Sequence, residues 1–222
     1  MSTSPIAVLI SGGLDSAILL GDILRTGQPT QPLYIRSGLH YEDVELQYLR
    51  RYLAALKSPA LRPLVELSMP VTDLYGEHWS ITGRGVPGDD MPDEAVFLPG
   101  RNVLLLAKAM LWCHLNQVPA VALGSLQTNP FPDATPEFFA GFEALVNKAV
   151  GSAVKISLPF AGMKKTAVMQ RGRDLPLELS FSCIQPRDGL HCGQCNKCAE
   201  RKHAFADARM VDRTEYKLET RN

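Results

Sequence analysis

Residues 6–24 read IAVLISGGLDSAILLGDIL, and this stretch decides the fold. Five apolar residues, Ile6 to Ile10, run into SGGLDS at Ser11 to Ser16, and an apolar run of helical length follows. The glycines Gly12 and Gly13 admit backbone conformations closed to other residues and let a ligand approach the main chain closely. A loop feeding a helix start aims free N–H groups and the positive end of the helix dipole at that ligand, so its natural occupant is an anion, most often phosphate. Backbone N–H groups from Gly12 through Leu14 to Ser16, with the hydroxyls of Ser11 and Ser16, supply donors to phosphate oxygens. Asp15 cannot donate when ionised. It either orders the loop or helps to hold Mg²⁺, and the sequence leaves both open.

Outward from this stretch, short β-rich runs alternate with helical patterns. Strands are predicted near 6–10, 31–36, 61–69, 120–125 and 155–160, and helices near 14–26, 41–56, 102–116, 136–151 and 163–174. Such alternation implies right-handed βαβ units, hence an α/β fold with a parallel five-stranded sheet and helices on both faces. Sites in these folds lie at the carboxyl ends of the strands, where SGGLDS falls. The stretch Pro70 to Glu94 lacks periodicity and reads as a long loop able to act as a lid. Its acids Asp89, Asp90, Asp93 and Glu94 read as a solvated face.

With 222 residues, 45% of them hydrophobic, and no linker-like segment, the chain is expected to form a single domain over 1–222. Lys plus Arg (23) balance Asp plus Glu (23). That neutrality argues against a grip on long nucleic acid and for a small-molecule substrate. No apolar stretch reaches membrane-spanning length and no signal-like run is present, so a cytoplasmic protein without membrane contact is expected.

Four of the five cysteines stand in CIQPRDGLHCGQCNKC: Cys183, Cys192, Cys195 and Cys198. That density points to metal within a C-terminal region over 180–205. Four thiolates suit tetrahedral Zn²⁺, with Gly193 allowing the knuckle turn; an iron–sulfur cluster is the competing occupant, and spacing alone does not decide. His191 reads as a bystander. Cys113, in the apolar helix NVLLLAKAMLWCHLN, reads as a small core residue.

SGGLDS lacks the spacing and lysine of a Walker A loop and is not the GxGxxG fingerprint. It matches the SGGxDS motif of the PP-loop ATP pyrophosphatases. With FLPGRN at 97–102 and the cysteine cluster in this order, the chain resembles the 7-cyano-7-deazaguanine synthase (QueC) family from Ile6 to about His203. The resemblance implies ATP at the loop, with Asn102 capping a helix and Arg101 offering its planar fork to phosphate or carboxylate. In LPFAGMKKTAVM, Lys165 is the best match to a family lysine that neutralises charge on a transferring phosphate, with Lys164 as second choice. His40 and Glu45 in LHYEDVE preserve a family pair expected to bind substrate.

The chain departs from the family where Gly38 and Leu39 precede His40, and again in GSLQTNPFPDATPEFF, where a YPDCR-like run is missing. There Phe131 is expected to stack on a flat heterocycle and Asp133 to accept from the edge of a guanine-like ring. The implied reaction converts 7-carboxy-7-deazaguanine and ammonia to the nitrile through an activated carboxylate and an amide. Alternatives are a paralogue joining the activated acid to an amine on a macromolecule, a PP-loop tRNA-thiolation enzyme, and a nucleotide sensor without turnover. A homodimer is the expected assembly.

Overall fold

The first strand buries both of its faces, as a parallel sheet between helix layers requires: Ile6 and Val8 on one side, with Ile10 just past its end, and Ala7 on the other. In the computed structural model, which describes residues 4–127 and 129–217, the strands form one parallel sheet. They are β1 (Ile6–Leu9), β2 (Thr30–Arg36), β3 (Val65–Ser68), β4 (Ala120–Ala122) and β5 (Lys155–Ser157), in the order β3-β2-β1-β4-β5. Ile6 pairs with Thr30 of β2 and Ala7 with Val121 of β4. The α-helices are α1 (Leu14–Arg25), α2 (Glu42–Ala55), α3 (Thr72–Tyr75), α4 (Trp79–Thr82), α5 (Arg101–Leu115), α6 (Pro136–Val150), α7 (Lys165–Arg171) and α8 (Asn196–Asp207).

The expected two helix layers are present. Ile6, Val8 and Ile10 pack with α1, with Leu46, Leu49 and Tyr52 of α2, with Val168 and Met169 of α7 and with Phe205 of α8. On the opposite face Ala7, Leu33 and Val121 meet Ala109, Met110 and Cys113 of α5, so Cys113 is the core residue its surroundings foretold. α6 joins that layer through Phe139 against Leu106. Among the described residues no helix is long and apolar enough to cross a membrane.

Since β1 connects to β2 on one side and pairs with β4 on the other, the topology reverses between β1 and β4, and a crevice opens at their carboxyl ends. Just past β4, a Cβ on Gly124 would stand 3.0 Å from the Asp15 carbonyl carbon, so the β4 exit runs against the start of α1.

The stretch 70–94 is more ordered than expected. It holds the single-turn helices α3 and α4, too short to leave a periodic signature. It is also tied down: His40 N donates to Ser80 O at 2.9 Å and Asn196 N to Pro87 O at 3.0 Å. Asp89, Asp90, Asp93 and Glu94 are exposed, as a solvated face should be.

Candidate active site and metal centre

The loop after β1 is shaped by one of its two glycines. Gly12 has φ +82°, a conformation that favours glycine, and a Cβ there would lie in a tight 3.3 Å contact with Glu45 Cγ. Gly13 does not share that need: at φ −69° its backbone is ordinary, and a Cβ would meet nothing nearer than Ser11 Oγ at 3.6 Å. Phe181 N holds the turn from outside by donating to Gly12 O at 2.7 Å. Ser16 Oγ donates to Gly13 O at 3.2 Å and stands 3.3 Å from Ser11 Oγ. No side chain caps α1, whose first residues Leu14, Asp15 and Ser16 line a cavity of about 340 Å³ in the crevice. Uncapped N–H groups at a cavity wall are free to donate to an anion.

From the loop's own Asp15 runs a chain of alternating charges. Lys165, the first residue of α7, donates from Nζ to Asp15 Oδ2 at 2.8 Å and to Glu200 Oε1 at 3.1 Å. Lys197 Nζ donates to Glu200 Oε2 at 2.6 Å. Burial raises the Asp15 pKa, and Lys165 opposes that rise; Asp15 Oδ1 is buried with no partner. Burial alone would also raise Glu200, but Lys165 and Lys197 outweigh it and hold the carboxyl down to about 2. Lys164 is exposed at the N-cap of α7, so Lys165 is the lysine at the cavity.

The far end of the cavity is aromatic and polar. Glu45 is buried, accepts from Tyr34 Oη at 2.7 Å, and burial pushes its carboxyl up to about 7 against the opposing charge of Arg101. Arg101 lines the same cavity and its buried Nε has no partner. Phe131 reaches the cavity too, stacked on Phe97 with centroids 5.0 Å apart, and Trp79 of α4 contributes from the 70–94 stretch.

Two expected substrate contacts stand elsewhere. His40 does not line the cavity; its ring packs over Gly83 and edge-on to Tyr41. Asp133 is buried with its carboxylate turned to α5: Oδ2 accepts from Asn102 N at 3.0 Å and Oδ1 from Asn102 Nδ2 at 3.4 Å. Asp133 therefore serves the orphan N–H of Asn102 at the start of α5, and the capping expected of Asn102 is corrected as well. The N-cap position itself is Gly100.

Beside the cavity the four cysteine sulfurs of Cys183, Cys192, Cys195 and Cys198 lie within 4.8 Å of one another, all buried. The Cys183–Cys195 and Cys192–Cys198 sulfur pairs are each 3.9 Å apart. Ligands about 2.3 Å from a common tetrahedral centre stand close to that spacing. A four-iron cluster puts each thiolate on a different iron and holds the sulfurs farther apart. Backbone N–H groups of Gln185 and Cys192 donate to Cys183 Sγ, both at 3.3 Å, and that of Cys195 to Cys192 Sγ at 3.3 Å, as thiolates at a metal require. Gly193 has φ +72° in the knuckle turn. His191 is outside the donor set; its Nε2 accepts from Ser182 N at 3.2 Å.

Sequence reasoning missed Lys197, Glu200 and Arg201. Their spacing puts them on one face of α8, the helix that leaves the knuckle at Cys195, and that face lines the cavity. The guanidinium of fully buried Arg201 donates to Leu177 O at 2.7 Å and to Ser180 Oγ at 2.9 Å, tying α8 to the segment that carries Phe181.

The family profile described as "Queuosine biosynthesis protein QueC" matches residues 6–209. A 7-cyano-7-deazaguanine synthase of Solidesulfovibrio magneticus is 32% identical, with 95% of this chain and 94% of the relative covered. One from Syntrophobacter fumaroxidans is 31% identical, with 94% of each covered. A crystal structure of a 4-thiouridine synthetase–RNA complex with bound ATP shares the fold at TM-score 0.50 and 14% identity, over 93% of this chain and 50% of that one.

Proposed function

Because the chain belongs to the QueC family, we propose that it is an ATP-dependent synthase that turns 7-carboxy-7-deazaguanine and ammonia into 7-cyano-7-deazaguanine. The observation that carries this reading is the uncapped start of α1 at the cavity wall, with the Lys165 ammonium held beside it by Asp15. It supplies backbone donors and an adjacent ammonium to one phosphate chain.

In this reading a substrate carboxylate oxygen attacks the α-phosphorus of ATP, pyrophosphate leaves, and ammonia displaces AMP to give the amide. A second ATP activates the amide oxygen. Loss of that oxygen with AMP, and of two protons from nitrogen, leaves the nitrile. Gly12 to Ser16 grip the leaving pyrophosphate, Lys165 neutralises charge developing on it, and Arg101 orients the substrate carboxylate. Glu45, a buried acceptor beside Tyr34, meets the N–H edge of the heterocycle while Phe131 covers its face.

Asp15 Oδ1 is the atom that would hold Mg²⁺, an ion that offsets phosphate charge. Cys183, Cys192, Cys195 and Cys198 would hold Zn²⁺, which closes the knuckle and contributes folding free energy. A reaction supplied by ATP and free ammonia belongs in the cytoplasm. A homodimer would cover apolar side chains such as Leu115 and Leu145, which are 78% and 64% exposed.

The test is mass spectrometry of the product from 7-carboxy-7-deazaguanine, ATP and ammonia. The nitrile, formed with AMP and pyrophosphate, supports the synthase. An accumulating amide, or an adduct on another amine, overturns it in favour of a ligase with a different acceptor.

A further inference from the structure

Lys165 extends from a helix of only seven residues, and a free lysine side chain costs on the order of 2 kcal/mol of rotamer entropy to fix. Asp15 alone would draw its ammonium down onto the loop. The second acceptor, Glu200, comes from α8, which packs against α7, and suspends Nζ between the two carboxylates, at 2.8 Å and 3.1 Å. The other oxygen of Glu200 holds Lys197 Nζ at 2.6 Å. Glu200 is itself on a rigid support, since α8 starts in the cysteine knuckle and is anchored by Arg201. An ammonium has three donors. Lys165 uses two of them here, and one stays free for a ligand.

We propose that Glu200 is a positioning residue, whose carboxylate holds the ammonium groups of Lys165 and Lys197 facing the phosphate loop before a triphosphate arrives. The two carboxylates balance the two ammoniums, so this cluster of four side chains is neutral before a ligand arrives. An incoming phosphate chain then takes the free donors without either lysine having to be ordered first. This rests on the reading of the cavity as an ATP site.

A double-mutant cycle tests it. ATP affinity by calorimetry and kcat and KM for ATP are measured for wild type, Glu200→Gln, Lys165→Ala and the double variant, with melting temperature and metal content alongside. Glu200→Gln should lower kcat/KM about tenfold, and by only about threefold once Lys165 is already absent, the remainder being what Lys197 loses, because residues acting as a unit are not additive. Melting temperature and metal content should stay at wild-type values. Equal losses in both backgrounds, or a loss that follows the melting temperature, overturn the proposal while ATP binding by wild type leaves the ATP reading standing. Failure of wild type to bind ATP overturns both. Should Glu200→Gln not fold, Glu200→Asp, which keeps the charge but shortens the reach, replaces it in the same cycle with the same two outcomes.

Discussion

The ammonium of Lys165 lies 2.8 Å from a carboxylate oxygen of Asp15, although 150 positions separate the two in the chain. The contact joins the first helix of the fold to the seventh and places a cation on the rim of the phosphate loop. Lys165→Ala should therefore cut ATP turnover by about 10²-fold or more, the scale of losing one preorganised donor to developing charge. Lys165→Arg should recover little of it, because a planar fork cannot reproduce a point charge held between two carboxylates. Steady-state pyrophosphate release measures both. Near-wild-type rates in Lys165→Ala would remove the lysine from the chemistry.

Gly12 and Gly13 are neighbours with different duties, and substitution separates them. Gly12→Ala forces a side chain into φ +82° and against Glu45 Cγ, so it should cost about 1–2 kcal/mol or more of stability and displace the loop. Gly13→Ala meets ordinary backbone and should be milder in urea denaturation. Its effect should appear instead in ATP affinity, where an added methyl intrudes on the approach to the N–H groups. Equal destabilisation by the two would contradict the backbone assignment.

Much of this was legible in the sequence. An apolar run into SGGLDS announces strand, loop and helix, and βαβ alternation announces the parallel sheet. Lys165, Arg101, Glu45 and Phe131 were found because local motifs mark them, and all four line the cavity. Asp133 was misread because its partner Asn102 is 31 residues away, and proline before aspartate looks the same in a turn, a cap or a binding loop. Glu200 went unnoticed for a related reason: its meaning lies in where α8 meets α7, and only tertiary packing fixes that.

Asp133→Ala should act as the loss of a helix cap, costing about 1 kcal/mol of stability, and Asp133→Asn should keep most of that capping. Thermal melts report it. A rise of tenfold in KM for the deazaguanine acid with an unchanged melting temperature would return Asp133 to the substrate.

The cysteine knuckle predicts one zinc per chain by elemental analysis. A chelator, or Cys198→Ser, should unfold the knuckle and with it the start of α8, because metal-binding free energy is folding free energy at such sites. ATP affinity should fall in the same titration, since α8 carries Glu200 and Lys197. Iron and sulfide in place of zinc would show the sulfur geometry to have been misjudged.

Glu45 gives the fold a pH signature. Its carboxyl is raised from 4.5 to about 7, chiefly because burial penalises the charged form, with Arg101 and Tyr34 opposing the shift. The folded protein therefore holds a proton there that the unfolded chain has already released, and stability falls as pH rises between the two values. Below pH 4.5 the contribution is fully present; above about 7 it is lost, a difference of roughly 3 kcal/mol by linkage. Glu45→Gln keeps the shape and has no proton to lose. Urea denaturation at intervals from pH 4.5 to 8 should show wild type losing stability relative to Glu45→Gln through this window, with the gap constant above it. Parallel curves across the whole range would mean that Glu45 is already ionised at pH 5 in the folded state, held there by Arg101, and that the cavity presents an anion to its substrate at every pH in the range.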